Sequence, residues 1–176
     1  MFQKWAAKHV LDIAGTNANL NLRHHSTEEK DDIPPDSRCP SCEEEIEMAG
    51  HILHCCEAGR VEALQKTIDL LDKWLFKADT EPRLRRGLVN FARGRGAISL
   101  SGVVGHQGAL WQEMAASQDV IGWRRFMEGM ISRKILPLQA SYLECVGSVW
   151  TISAWAKGLV VKLLEVTHGQ WLYRNM

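Results

Sequence analysis

Apolar side chains recur along this chain at steps of three and four residues, the period of a helix whose one face is buried. Residues 2–14 carry Phe2, Trp5, Ala6, His9, Val10 and Ile13 at that spacing, which predicts a first amphipathic helix. Gly15 is a natural stop, and Thr16 can cap a second short helix through Leu20 to Arg23. His24 to Asp36 is polar, with two prolines and five acidic residues, and reads as a loop. The clearest repeat is Val61, Leu64, Ile68, Leu71 and Leu75, with Glu62, Lys66, Asp69 and Lys73 elsewhere around the wheel. Trp74 and Phe76 are expected to widen the apolar face at its end. Asp79 or Thr80 can cap the next helix, with Pro82 in its first turn. Leu84, Leu88, Phe91 and Ala92 form its inward stripe, and Gly94 and Gly96 end it.

Residues 94–108 hold five glycines and two serines and read as a mobile connection, a hinge between two halves. Beyond it, Trp111 and Met114 mark another short helix. Asp119 is the expected cap of a following one, with Val120, Trp123, Met127 and Met130 on one side. Pro137 interrupts the pattern and places a break near Ile135–Leu136. From Ser148 to Trp171 the period returns in Ile152, Trp155, Leu159, Leu163 and Val166, a long C-terminal helix slightly weakened by Gly158 and Gly169. No period-two run is sustained, and no Asn-Gly or Asp-Gly turn appears. The fold class expected is all-α. Its parts are a helical region at 1–93 with a metal module at 39–56, the connection 94–108, and a C-terminal helical region at 109–176 packed on the first.

Composition narrows the class of partner. Hydrophobic residues make up 45 % and charged residues 24 %, ordinary values for a globular chain. Lys plus Arg and Asp plus Glu both number 21, so the basic excess of a free-standing nucleic-acid binder is missing and any such contact needs a local patch. Seven tryptophans, against two tyrosines and four phenylalanines, point to broad helix-packing surfaces. The start, Met1-Phe2-Gln3-Lys4-Trp5, lacks the apolar run of a signal peptide, and no stretch has bilayer-spanning length. An intracellular, reduced protein of nucleus or cytoplasm is expected, with no membrane and no small-molecule substrate as partner.

Four of the five cysteines fall between Cys39 and Cys56, where a disulfide scaffold would spread them. Cys39-Pro40-Ser41-Cys42 followed by His51-Ile52-Leu53-His54-Cys55-Cys56 reads as C-x2-C-x8-H-x3-C, thiolates and imidazole at metal-ligand spacing. Two cysteines two residues apart chelate one ion from a tight turn that Pro40 helps to set. His51 and Cys55, four apart, point the same way from one helical turn. His54 and Cys56 are spare candidates, three and five residues from His51, and the four-residue step favours His51 with Cys55. Ile52 and Leu53 then face inward between the ligands. Cys39, Cys42, His51 and Cys55 fill a closed tetrahedron, which suits a structural Zn2+ and leaves no open position for an activated water. The His-x-Glu partner of a zinc deaminase and the His-Glu-x-x-His of a metalloprotease are both absent.

Three further features are weighed against blander readings. Arg83, Arg85, Arg86, Arg93 and Arg95 form a basic band for phosphate contact, or else a solvated face with cations near a helix C-terminus. Trp123-Arg124-Arg125-Phe126 mixes aromatics and cations as single-strand binders do, but at helical spacing reads as core. Cys145 reads as a buried thiol.

Trp5-Ala6-Ala7-Lys8-His9-Val10, Cys39-Pro40-Ser41-Cys42, Glu47 and His51-Ile52-Leu53-His54-Cys55 together resemble the zinc-binding region behind the polymerase of non-LTR retrotransposon proteins. Ile121-Gly122-Trp123-Arg124-Arg125-Phe126-Met127-Glu128-Gly129 and the ending Trp171-Leu172-Tyr173-Arg174-Asn175 are similar to helical segments that follow it. The resemblance touches most of the chain, and the metal motif is its specific part. It implies metal roles for Cys39, Cys42, His51 and Cys55, and a non-enzymatic helical region that supports a polymerase of the same element and holds RNA or DNA. The Tyr-x-Asp-Asp-type site of a reverse transcriptase is absent, so no polymerase activity is implied. The alternative expectation is a protein-interaction module of Trp-rich helices stapled by zinc.

Overall fold

The computed structural model describes residues 2–10, 15–26, 36–105 and 107–176. Among them the regular elements are helices: α1 Phe2–Val10, α2 Asn17–Ser26, α3 Ala49–His54, α4 Ala58–Lys77, α5 Pro82–Arg93, α6 Leu100–Val104, α7 Ala109–Ile121, α8 Trp123–Met127, α9 Ile135–Cys145 and α10 Ile152–Arg174. An isolated antiparallel bridge between Arg38 and Ile46 is the one β-type pairing among the described residues. Among the described residues no helix is long and apolar enough to cross a membrane. The chain divides into two compact units, residues 1–64 with 168–176 and residues 65–167, with the boundaries inside α4 and α10. This differs from the division expected at 94–108.

In the 65–167 unit the expected stripes are the core. Ile68, Leu71 and Leu75 of α4, Leu84, Leu88, Phe91 and Ala92 of α5, and Trp155, Leu159 and Leu163 of α10 are each at most 2 % exposed. Burying a side chain of this size stabilises by about 1.5–3 kcal/mol before entropy is counted. Phe76 does not widen that face. It is 68 % exposed and lies under the Arg85 guanidinium, 5.1 Å from its ring centroid. Gly158 has a packing reason: a β-carbon there would collide with the Trp74 indole, so glycine lets Trp74 lie against α10.

The Gly-rich stretch is not a bare connection. Ser99 caps α6, and Asp119 holds the start of that helix from α7, accepting from Leu100 N (2.6 Å), Ser101 N (3.0 Å) and Ser101 Oγ (2.5 Å). Asp119 is therefore a clasp within α7, not the cap of the next helix. Val120 beside it is 89 % exposed, because α7 stops at Gly122 (φ 85°) and α8 starts afresh with Trp123 buried. Met130, at 41 % exposed, also leaves the expected apolar side.

α5 is capped neither by Asp79 nor by Thr80 but by Glu81, whose carboxylate accepts from Leu84 N at 2.6 Å, with Pro82 first in the helix. Asp79 accepts instead from Ser148 Oγ (2.6 Å) and Thr80 Oγ1 from Trp155 Nε1 (2.9 Å). The break at Ile135–Leu136 is the start of α9, which takes Pro137 in its first turn, where no backbone donor is missed. Cys145 is exposed at the end of α9, so the buried-thiol expectation is corrected.

In the other unit, Thr16 Oγ1 accepts from Asn19 N (3.3 Å) and caps α2 as expected. α2 continues three residues past Arg23, into the stretch expected as loop. Most of that loop, and Ile13, lie outside the described residues.

Candidate metal centre

The segment from Asp36 to Glu57 folds around its cysteines through backbone hydrogen bonds. Cys39 N donates to Glu45 O (2.8 Å), Glu47 N to Ser37 O (2.8 Å) and Glu43 N to Cys39 O (2.8 Å), closing a tight knuckle. Its corner is Glu43 at φ 58°, a left-handed conformation that a residue with a β-carbon adopts at a cost. α3 follows, with Cys55 as its C-terminal cap, and Ile52 and Leu53 are buried at 1 % and 2 % exposure. Both side chains face inward, as their positions between His51 and Cys55 predict.

Cys39 Sγ, Cys42 Sγ, a ring nitrogen of His51 and Cys55 Sγ all lie within 4.8 Å of one another, close enough to hold one metal ion. Cys39 and Cys55 sulfurs are 3.8 Å apart, and Cys42 Sγ is 3.4 Å from His51 Nε2. Cys39, Cys55 and His51 are buried, while Cys42 is half-buried. The spare candidates fall outside: His54 is exposed, and so is Cys56, whose sulfur is 3.5 Å from Glu44 Oε2.

The surroundings orient the four side chains. His51 Nδ1 is 3.0 Å from Glu45 Oε2, and with that nitrogen donating to the carboxylate, Nε2 presents its lone pair beside Cys42. Burial opposes ionisation of the Cys42 thiol. The backbone N–H groups of Glu44 and Glu45, with the His51 and Cys39 side chains, outweigh it and bring the thiol down to about 6. Burial pushes the Cys55 thiol up, against the Glu57 backbone N–H and the Arg60 side chain. The Glu44 carboxylate pushes exposed Cys56 up to about 11. Arg60, 1 % exposed, sends Nη1 to within 3.6 Å of Cys39 Sγ.

A second polar cluster ties the knuckle to the chain's end. Arg174 grips Glu47 in a two-point pair, Nε to Oε1 at 2.8 Å and Nη2 to Oε2 at 2.6 Å, and Nη2 also donates to Asn17 Oδ1 at 2.9 Å. Asn17 N donates to Glu47 Oε2 (2.9 Å), and Asn17 Nδ2 to Arg38 O (2.8 Å). The Glu47 side chain is fully buried. Its hydrogen bonds hold the Arg174 guanidinium charged, above the usual arginine value despite burial.

The arginine band is dispersed among carboxylates. Arg83 meets Glu81 (3.0 Å) and lies over the Trp111 ring, Arg85 meets Asp72 (2.9 Å), and Arg93 meets Asp69 (2.6 Å). Arg86 is exposed, and Arg95 sits half-buried at φ 51° just past α5. Trp123 and Phe126 are core residues, as their spacing implies, with Trp123 Nε1 donating to Ala92 O at 3.0 Å. Arg124 and Arg125 both pair with the buried Glu128.

Sequence reasoning missed Glu45, Arg60 and Asn17. Glu45 lies in the acidic run Glu43–Glu47, where nothing in the sequence separates the carboxylate that faces the histidine from its neighbours. Arg60 looks like any helix cation until its burial is seen. Comparison with protein-family models, with curated proteins and with solved structures found no match for this chain.

Proposed function

We propose that the cluster binds one zinc ion as a structural staple, and that the chain is a non-enzymatic helical domain. The observation that carries this is the closure of the site: three cysteine sulfurs and one imidazole nitrogen within 4.8 Å of one another. Zinc–sulfur bonds of about 2.3 Å in a tetrahedron put the sulfurs about 3.8 Å apart. The Cys39–Cys55 separation of 3.8 Å is that edge. Protein atoms supply all four corners, so no position is left for a reacting water, and the ion contributes folding energy. Soft thiolates with one imidazole favour zinc over the hard, oxygen-seeking cations.

The wider role we infer is that of a region resembling the zinc-bearing C-terminal part of non-LTR retrotransposon proteins, a scaffold beside a polymerase that contacts RNA or DNA. The motif Cys39-Pro40-Ser41-Cys42 with His51 and Cys55 supports it. Contact with nucleic acid would use Arg83, Arg85, Arg86, Arg93 and Arg95. Exposed ion pairs such as Arg93–Asp69 are worth about 0–1 kcal/mol, so a phosphate can displace those carboxylates.

Protein purified under reducing conditions without chelator is expected to carry one zinc per chain by elemental analysis. A metal-free protein of unchanged helicity would end the staple reading. For the wider role, affinity for single-stranded RNA or DNA should fall steeply with salt and fall again in Arg86→Glu. Binding indifferent to both leaves the zinc-stapled interaction module as the reading to pursue.

A further inference from the structure

The buried guanidinium of Arg60 carries an inference that rests on the zinc reading and goes one step past it. Arg60 lies at the start of α4, is 1 % exposed, and brings Nη1 to 3.6 Å from Cys39 Sγ. Its Nε and Nη2 are buried and meet no hydrogen-bond acceptor. No carboxylate among the described residues pairs with it. Glu57 feels its charge, but the Glu57 oxygens accept from the backbone N–H groups of Gly59 and Arg60, each at 2.8 Å. Glu47 is taken by Arg174.

A buried, unpaired cation costs several kcal/mol, so a guanidinium held this way needs a counter-charge nearby. The centre supplies one. Three thiolates outweigh a divalent ion by a single negative charge, and the neutral imidazole adds none. We infer that Arg60 is the charge-compensating residue of the metal centre, making the site specific for a divalent ion held by three thiolates and one histidine. With two thiolates and two histidines the centre would be neutral and Arg60 would be left uncompensated. His54 stays exposed although it follows His51 by three residues, as that preference requires. Because Arg60 belongs to α4, the same pairing couples metal binding to the docking of that helix's first turns on the knuckle.

The test is a Co2+ titration of the full chain against a competing chelator, read by the thiolate-to-cobalt charge-transfer band. Wild type is compared with Arg60→Met, Arg60→Gln and Arg60→Lys. Removing the charge should weaken Co2+ binding about 10- to 100-fold, the range seen when partners just outside a metal's ligands are lost. Arg60→Lys should keep most of the affinity. Cys42→His, made in each background, should be less damaging when Arg60 is already neutralised, since the two charge changes then cancel. Neutral variants that bind as tightly as wild type overturn the inference and leave the zinc staple standing. An Arg60→Lys loss equal to that of Arg60→Met also overturns it, because packing alone would then be at work. A wild-type chain without the charge-transfer band removes the zinc reading, and this one with it. If Arg60→Met loses its helicity, Arg60→Gln against Arg60→Lys decides on the same terms.

Discussion

The two units solve the same problem with different materials. Residues 65–167 bury long apolar stripes, with Ile68, Leu75, Leu88, Phe126, Trp155, Leu159 and Leu163 all at 0 % exposure. Residues 1–64 with 168–176 bury Thr16, Glu47, His51 and Arg60 alongside Cys39 and Cys55. An apolar core is stabilised by area removed from water, and it tolerates any helix that presents the right stripe. A core of thiols, an imidazole, a carboxylate and a guanidinium gains little from burial itself. It depends on each polar group finding its partner, and is costly when one is missing. The comparison teaches where a bound metal would contribute most: in the region whose stretch from Asp36 to Glu57 has only Ile52, Leu53 and Ala49 as buried apolar side chains apart from its cysteines.

Metal removal should break the comparison most visibly. Structural zinc contributes on the order of 10 kcal/mol or more of apparent folding energy in small modules. Chelation, or Cys39→Ser, is therefore expected to expose the amides of residues 36–57 to rapid hydrogen exchange, while α5, α7 and the 152–167 part of α10 stay protected. Uniform loss of protection over both units would show that they are not energetically separable.

The reverse experiment removes apolar volume from the other unit. Phe126 is fully buried, with its ring 5.3 Å from that of Phe91, and Phe126→Ala should cost about 3–5 kcal/mol in denaturant unfolding. Zinc content per chain should not change. Zinc lost together with the apolar core would contradict the division into units.

The smallest effect sharpens the knuckle. Glu43 holds φ 58°, and glycine there avoids a left-handed penalty of about 1 kcal/mol, part of it offset by glycine's greater freedom in the unfolded chain. Glu43→Gly should leave zinc affinity equal or slightly tighter in a chelator competition. A clear weakening would mean that the Glu43 side chain, and not its backbone, serves the site.

Legibility follows the same divide. The stripes of α4, α5 and α10 were readable because period and burial are one property in a helix packed on one side. Phe76 and Val120 broke the pattern where a helix ended or turned, at Ala78–Thr80 and at Gly122. The clustering of Cys39, Cys42, His51 and Cys55 was readable because a chelating group of neighbours in sequence imposes spacing. Asp119 was misread because a carboxylate that holds the start of a helix 19 residues back leaves no local mark. Arg60's contact with Cys39 and the Arg174 pairing of Glu47 were hidden for the same reason, since the partners lie 21 and 127 residues apart.

By itself, then, the sequence determined an all-helical chain and a group of four side chains at metal-ligand spacing, because both rest on interactions between residues close along the backbone. Tertiary structure alone decided which carboxylate turns to His51, that Arg60 stands against the thiolates, that Arg174 closes on Glu47, and that the units divide within α4 and α10. Those choices depend on which charges are brought together out of water, and local periodicity does not encode that.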